Sequence, residues 1–234
     1  MDLIDCFMRL GFTRHESMLY VTLCSEGELT GYEASKISGI PRSNAYLALA
    51  GLAEKGGVYR IEGDSARYSA VPPKELVLNL KREFHEVLNF IEKNAPGRSA
   101  AVDSYITISG RSNIINKMKN IVNEAKERVY LSMAPAEMEH IAAETGDAVR
   151  RGLKVVVISS PGFRAEGTQI FFNKKQPGQI RIIADSSQVL TGELSETEAT
   201  CLYSKNKNLV NLIKDSLTNE IKLIEIQEKN NPKE

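Results

Sequence analysis

Hydrophobic positions recur at helical spacing between residues 3 and 55 and then at strand spacing in the segment that follows. A first apolar helix face is formed by Leu3, Ile4, Phe7 and Leu10. Thr13 to Glu16 and Thr30 to Glu33 each have the Thr-x-x-Glu spacing of a capping box, whose hydroxyl and carboxylate satisfy free amides at a helix start. The pattern therefore predicts several short helices at the N-terminus.

A tight turn is predicted before the last of these helices. Gly39 can adopt a positive φ angle, and Ile40-Pro41 favours extended backbone. From Arg42 onward, apolar residues at spacings of four and three predict a helix that ends near Lys55 and Gly56. The core side of this helix would carry Ala45, Leu49 and Leu52.

Two β-prone runs follow, at residues 58–62 and 67–71, and a turn is predicted over residues 63–66 between them. Two helices, a tight turn and a β-hairpin form the layout of a winged helix-turn-helix, whose second helix enters the major groove of duplex DNA. The candidate DNA-binding residues are Lys36, Arg42, Ser43, Asn44, Tyr46, Arg60 and Arg67. The alternative is a winged helix that makes only protein contacts.

Charge gives this prediction local support. The whole chain has 30 basic and 30 acidic residues, which excludes a general polycation. Between Lys36 and Lys74, however, six basic residues stand against three acidic ones, a local excess of +3. A few phosphate contacts per subunit are therefore expected, and a dimer would double them.

The next helical segment has the spacing of a coiled coil. Its apolar positions are separated by three, four, three and four residues: Val77, Leu80, Phe84, Val87 and Ile91. We expect this helix to pair with a second copy of the chain, because a dimer presents two recognition helices to two half-sites. The alternative is that the stripe packs on its own winged-helix domain.

Beyond a break at residues 94–99 the pattern becomes βαβαβ, which predicts an open α/β sheet with parallel strands. The first five elements are expected at residues 104–109, 111–126, 129–133, 136–151 and 153–159. Further strands are expected at residues 180–184, 188–191 and 200–203, and a closing helix at about residues 206–226.

Several classes of chemistry lack their sequence signals. Cys6, Cys24 and Cys201 are far apart and without CxxC spacing, so neither a disulfide framework nor a zinc site is indicated, and we expect no metal or cofactor. No P-loop or GxSxG motif is present. The first residues do not resemble a secretion signal, and we expect a cytoplasmic protein without a membrane partner.

The order of parts resembles the TrmB-like transcriptional regulators. The resemblance is carried by Leu10-Gly11-Phe12-Thr13, by residues 39–56, by residues 67–75 and, in the second half, by residues 181–185 and 190–194. It implies an N-terminal winged helix, a dimerising coiled coil and a C-terminal α/β domain related to the phospholipase D fold. The additional sugar-binding β-domain of longer members is not part of this 234-residue sequence.

On this basis we divide the chain into five parts. Residues 1–73 would form the DNA-binding domain, 74–94 the coiled-coil helix, 95–103 a linker, 104–228 the α/β regulatory or dimerisation domain, and 229–234 a disordered tail.

An enzymatic alternative follows from the same resemblance. Active phospholipase D relatives use HxKxxxxD, in which the histidine attacks phosphorus and the lysine neutralises phosphate charge. If Asp185 takes the aspartate position, the histidine and lysine positions hold Gly178 and Ile180. We therefore expect a protein that is not an enzyme.

The predicted function is sequence-specific regulation of transcription by a homodimer. A small effector bound to the C-terminal domain would modulate this function. Ligands of open α/β sheets gather at the carboxyl ends of strands, where Ser132 and Ser159 are the effector-binding candidates. The alternative for both serines is a role as a helix cap or turn former.

Overall fold

The computed structural model describes residues 2–63, 65–96 and 104–230. The chain divides into two compact units, residues 1–97 and 98–234. Within the described residues, no helix is both long enough and apolar enough to cross a membrane.

The first unit is a helical domain with a small antiparallel sheet. Its elements are α1 (Leu3–Arg9), α2 (Arg14–Glu26), β1 (Leu29–Thr30), α3 (Gly31–Ser38), α4 (Arg42–Glu54), β2 (Val58–Ile61), β3 (Arg67–Ala70) and α5 (Pro73–Asn94). The strands pair in the order β1-β3-β2, with Leu29 opposite Tyr68 and Val58 opposite Ala70. This is the winged helix-turn-helix that the sequence predicts.

The local signals of the sequence form as expected. Thr13 and Glu16 make a complete capping box at α2, and Thr30 and Glu33 make another at α3. Gly39, which follows α3, has a φ of 70°, in the left-handed region that glycine adopts without steric cost. These contacts lie within a few residues of one another, which is why the sequence alone predicts them.

The core of the first unit lies between α2, α4 and the sheet. Leu19, Leu49 and Leu52 are fully buried there, and replacing a leucine in such a place by alanine costs about 2–5 kcal/mol. The Tyr20 hydroxyl donates a hydrogen bond to the Val71 carbonyl at 2.9 Å and so ties α2 to the end of the hairpin. The orientation of α4 therefore depends on packing as well as on its own pattern.

The second unit is built on a mixed sheet. Its strands are β4 (Tyr105–Ser109), β5 (Arg128–Met133), β6 (Lys154–Ser159), β7 (Gln169–Phe172), β8 (Gln179–Ala184), β9 (Gln188–Glu193) and β10 (Thr200–Ser204). Its helices are α6 (Arg111–Glu124), α7 (Pro135–Glu139), α8 (Ala142–Arg150) and α9 (Lys207–Asn230). Among the described residues the seven strands are ordered β4-β10-β9-β8-β5-β6-β7.

This order corrects the predicted βαβαβ sheet. β4 pairs antiparallel with β10 at one edge, and among the strand pairs of the described residues only β5-β6 and β6-β7 are parallel. The sequence pattern does not predict β7, a four-residue edge strand whose residues are at most half-buried. The helix expected at residues 136–151 is two helices, because Ile141 leaves helical backbone at φ −124° and is fully buried.

Apolar side chains cover both faces of this sheet. One face packs against α6, α7 and α8, with Met118, Leu131 and Ile182 at its centre. The other face packs against α9 through Ile183, Val189, Leu217 and others. The central run of β6, Val155 to Ile158, is apolar on both faces because helices cover both.

The predicted linker and tail fall mostly outside the described residues. Of the predicted linker, the structure describes residues 95 and 96. Residues 97–103 and 231–234 lie outside the described residues. α9 continues to Asn230, so the first two residues of the predicted tail, 229 and 230, are helical.

Candidate functional site

The start of α4 presents an arginine between two aromatic rings. The guanidinium carbon of Arg42 lies 5.5 Å from the centre of the Tyr32 ring and 5.7 Å from that of Tyr46. Both distances are within the range of a cation–π interaction. The two tyrosines are 55% and 40% exposed, so the cluster lies at the surface with the arginine available to a partner.

The position of Tyr46 depends on a glycine in the preceding helix. A Cβ atom added to Gly31 would lie 2.5 Å from Cε1 of Tyr46, so the ring packs directly against the backbone at the start of α3. The sequence assigned Tyr46 to the candidate surface but missed Tyr32. The sequence feature that could have indicated Tyr32 is an aromatic residue inside the capping box of α3, ten residues before Arg42.

The other basic and polar candidates differ in how free they are. Lys36, Ser43, Asn44 and Arg60 are exposed. Arg67 is bound within the domain instead: its Nε lies 2.7 Å from a Glu28 carboxylate oxygen, and its Nη2 donates to the Glu28 carbonyl at 2.9 Å. The guanidinium of Arg67 therefore holds β3 to the segment before β1, which leaves it less free to contact phosphate.

A partly buried ion pair fixes the far end of α4. Glu16 is 5% exposed, accepts a hydrogen bond from the Thr13 amide at 2.6 Å and lies 2.7 Å from Nζ of Lys55. Burial raises the pKa of the Glu16 carboxyl, but the Lys55 ammonium and the Thr13 groups outweigh burial, and the net pKa is lowered. The charged pair joins the start of α2 to the residue after α4.

Helix α5 carries a wide apolar face. Val77, Phe84, Val87 and Ile91 are 41–54% exposed, and Leu88, which the heptad assignment missed, is 61% exposed. Leu80 differs from these residues because it is partly buried against the winged-helix core, next to the fully packed Leu76. The first turns of α5 therefore pack on their own domain, and the exposed face lies mainly beyond Leu80.

The two serines predicted to bind an effector have different environments. The Ser159 hydroxyl is fully buried and donates to the Met133 carbonyl at 2.9 Å, which is a structural role that ties β6 to β5. Ser132 is 3% exposed and lines a cavity of about 270 Å³ together with basic side chains. Ser132 therefore lies at a cavity, whereas the Ser159 hydroxyl makes a structural hydrogen bond.

The positions aligned with the phospholipase D motif have structural roles. Gly178 donates its amide to the Glu137 carboxylate at 2.8 Å, and Ile180 is 1% exposed in the core. Asp185 accepts hydrogen bonds from the amides of Lys126, Glu127 and Arg128 at 2.8–3.0 Å. These amides follow α6, which explains why that helix ends at Glu124 and not at the predicted Lys126.

Across the part of the chain that the structure describes, no three or more His, Cys, Asp or Glu side chains are grouped so that they could hold a metal ion.

Comparison with known proteins gives two family matches. Residues 7–74 match the family "Sugar-specific transcriptional regulator TrmB", and residues 105–219 match the N-terminal subdomain of the EBD of "Transcriptional regulator TrmB". The two matched segments belong to one family and lie one in each unit of the chain.

Two curated proteins are similar in sequence. The uncharacterized protein YrhO of Bacillus subtilis (strain 168) is 29% identical over 97% of this chain and 87% of its own length. The HTH-type sugar sensing transcriptional regulator TrmBL1 of Pyrococcus furiosus is 26% identical over 68% of this chain, and the match spans 48% of that protein.

Two solved structures match the chain at low similarity. TrmBL2, described as an archaeal chromatin protein, matches with a TM-score of 0.47 and 18% identity over 93% of this chain and 96% of its own. Nuc of Salmonella typhimurium, a phospholipase D family member, matches with a TM-score of 0.39 and 15% identity over 50% of this chain and 93% of its own. The winged helix, the α/β domain and the two family matches agree with one another, and the chain belongs to the TrmB family of transcriptional regulators.

Proposed function

We propose that this regulator binds specific sequences of duplex DNA in the cytoplasm by inserting α4 into the major groove. The observation that carries the proposal is the Arg42 guanidinium at the exposed start of α4, held between the rings of Tyr32 and Tyr46. A guanidinium that is already positioned loses less conformational entropy on binding, and arginine can donate two hydrogen bonds to a guanine edge. Ser43 and Asn44 would supply further polar contacts beside it.

The remaining candidates fit a positioning role. Lys36 and Arg60 are exposed on α3 and on the wing, where they would contact phosphates and fix the register of the protein on DNA. Arg67 would contribute less because Glu28 already neutralises it.

We propose further that the regulator is a homodimer, paired through α5. Phe84, Leu88 and Ile91 are 41–61% exposed on one face of this helix, with Val87 beside them. The heptad spacing of Val77, Phe84 and Ile91 is self-complementary, so a second copy of α5 is the partner that the pattern fits. Leu80 would contribute to packing within the subunit and not to the seam between subunits.

Regulation would come from the α/β domain. An effector bound there would favour one of two arrangements of the two winged helices and so change operator affinity by its different affinity for the two states. A chain truncated after Asn94 should keep DNA affinity and lose any response to effector. A truncated chain that still responds would refute this route.

DNA binding is tested by gel-shift titration against genomic fragments at two salt concentrations. Specific binding should weaken as salt rises, and Arg42→Ala should cost about 1–3 kcal/mol if the arginine contacts a base with two hydrogen bonds. Arg9→Ala, an exposed arginine at the end of α1, is the matched control and should leave affinity unchanged. Failure to shift any fragment would favour a winged helix that binds proteins.

Pairing is tested by sedimentation of α5 variants. Phe84→Ser combined with Ile91→Ser should give single copies at working concentrations. Phe90→Ser is the control, because Phe90 is 67% exposed but lies off the seam. A wild-type chain that sediments as a monomer would reject the dimer.

A further inference from the structure

Between the sheet and α9 lies a cavity of about 270 Å³ with an unusual charge balance. Ser132, near the carboxyl end of β5, is directly opposite Arg181 of β8 in the antiparallel register. Lys174 and Lys175 come from the connection between β7 and β8, and Glu220 comes from α9. These elements are far apart in sequence, so the sequence pattern did not bring the basic residues together.

One carboxylate serves two of these cations. Nζ of Lys175 lies 2.5 Å from one oxygen of Glu220, and Nη1 of Arg181 lies 3.9 Å from the other. The Asn173 side-chain amide also donates to Glu220, at 2.6 Å. The Lys175 and Glu220 side chains are only 11% and 17% exposed, so the pair is largely removed from water.

The lining therefore has more positive charge than its own carboxylate can balance. Lys174, Lys175 and Arg181 carry three positive charges against the single negative charge of Glu220. Lys174 is exposed to solvent, whereas Lys175 and Arg181 are partly buried, and partly buried cations are stabilised by a counter-ion with which they also form hydrogen bonds. The Gln176 and Gln179 amides and the Ser132 hydroxyl line the same cavity and offer further donors.

We propose that this cavity binds a small anion with a phosphoryl or carboxylate group, and that Glu220 occupies the place of that group when no ligand is present. Ligand pockets usually measure ~300–1,000 Å³, so a cavity of about 270 Å³ suits a small molecule. A neutral polyol would leave the excess positive charge unbalanced, whereas an anion would reduce it. As an effector site, the cavity rests on the proposed function of the chain as a regulator.

The proposal gives Glu220 a competitive role. An anion bound to Lys175 and Arg181 would displace the Glu220 carboxylate and release the contact between α9 and the β7–β8 connection. α9 packs on the sheet through Leu217 and Ile224, on either side of Glu220. Displacement of the Glu220 carboxylate would therefore change the packing of α9 on the sheet. Ligand binding would in this way reach an element that spans residues 207–230.

The test is calorimetric titration of the full-length chain with inorganic phosphate, with glycerol phosphate and with glycerol. Saturable binding of the two phosphates and none of glycerol is expected. Lys175→Gln combined with Arg181→Gln should weaken phosphate binding by roughly tenfold to a hundredfold, as the loss of charged hydrogen bonds predicts. Lys154→Gln is the matched control. Lys154 is exposed at the start of β6, at the end opposite Ser159, so this substitution should not weaken phosphate binding.

Glu220→Gln separates a ligand site from a structural ion pair. If Glu220 competes with the ligand, this variant should bind phosphate several-fold more tightly than the wild type. Weaker binding in Glu220→Gln, equal binding of glycerol, or wild-type affinity in the double variant would each overturn the proposal.

The calorimetric titration contains no DNA, so its outcome is independent of the gel shift. A chain that shifts DNA but binds no phosphate refutes the anion site alone. A chain that binds phosphate through Lys175 and Arg181 but shifts no DNA supports the site and refutes the proposed function.

Discussion

Gly51 lies in the last turn of α4, where a carboxylate from another helix leaves no space for a side chain. A Cβ atom at this position would overlap Oε1 of Glu16, whose other oxygen binds the Thr13 amide and the Lys55 ammonium. Gly51→Ala therefore requires the Glu16 side chain to move. We predict that this substitution destabilises the first unit of the chain, although helix propensity alone predicts the opposite.

The magnitude follows from two opposing effects. Replacing glycine by alanine inside a helix contributes about 1 kcal/mol of stability. Moving Glu16 breaks the capping box at α2, which costs about 0.5–2 kcal/mol, and the charged hydrogen bond to Lys55, which costs about 1.5–3 kcal/mol. Because Lys55 is 38% exposed, the lower part of the second range applies. The net result is a destabilisation of about 1–3 kcal/mol.

Urea unfolding followed by circular dichroism measures this difference. Gly146→Ala in α8 is the matched control, because a Cβ atom there meets only Nη1 of Arg150, at 3.6 Å, and should stabilise by up to about 1 kcal/mol. In a Glu16→Ala background the overlap is gone, so Gly51→Ala should also become stabilising. A stabilising effect of Gly51→Ala in the wild-type chain would refute the reasoning.

Three further predictions rest on other contacts. Asp185→Ala removes the acceptor of three backbone amides and places alanine at a φ of 51°. It should lower the free energy of unfolding by about 1–3 kcal/mol in a urea titration. Asp185→Asn keeps one acceptor oxygen and should lower the free energy of unfolding less. Burial raises the pKa of Asp185, but the three amides outweigh burial and lower the pKa below the ordinary 3.8. The stability that the Asp185 carboxylate contributes is therefore complete above pH 3.8 and is lost as pH falls through the lowered pKa. An acid titration in which Asp185→Asn loses stability as steeply as the wild type would contradict this reasoning. Tyr32→Ala should weaken DNA binding several-fold by releasing Arg42, and it should change the thermal midpoint of unfolding little because Tyr32 is 55% exposed. Arg67→Ala should weaken DNA binding in the same gel shift less than Arg42→Ala does. The reverse order would reject the present choice of contact residues.

The sequence predicted what short-range interactions determine. Both capping boxes, the turn at Gly39 and the start of α4 at Arg42 depend on groups a few residues apart, and each forms as predicted. In the second unit β6 was found because Val155 to Ile158 form a continuous apolar run, and β5 and β8 were found because their residues are β-prone. The predicted DNA contacts, dimer seam and domain boundaries remain predictions.

Contacts between distant residues explain what the sequence did not predict. Asp185 captures the amides after α6 and ends that helix early, and Glu28 takes the guanidinium of Arg67. Leu80 has the heptad position of a dimer residue but packs against its own domain. Periodicity shows that a side chain is apolar or charged, but it does not show which distant group lies opposite.

The sequence by itself thus determined the winged helix, the family and the outward side of α4, because periodicity and capping act within a few residues. Only the tertiary structure decided the strand order, the pairing of Arg42 with Tyr32 and the cluster of Lys175, Arg181 and Glu220. Those arrangements join residues from separate elements, and their free energy depends on burial and on neighbouring charges that exist only once the chain has folded.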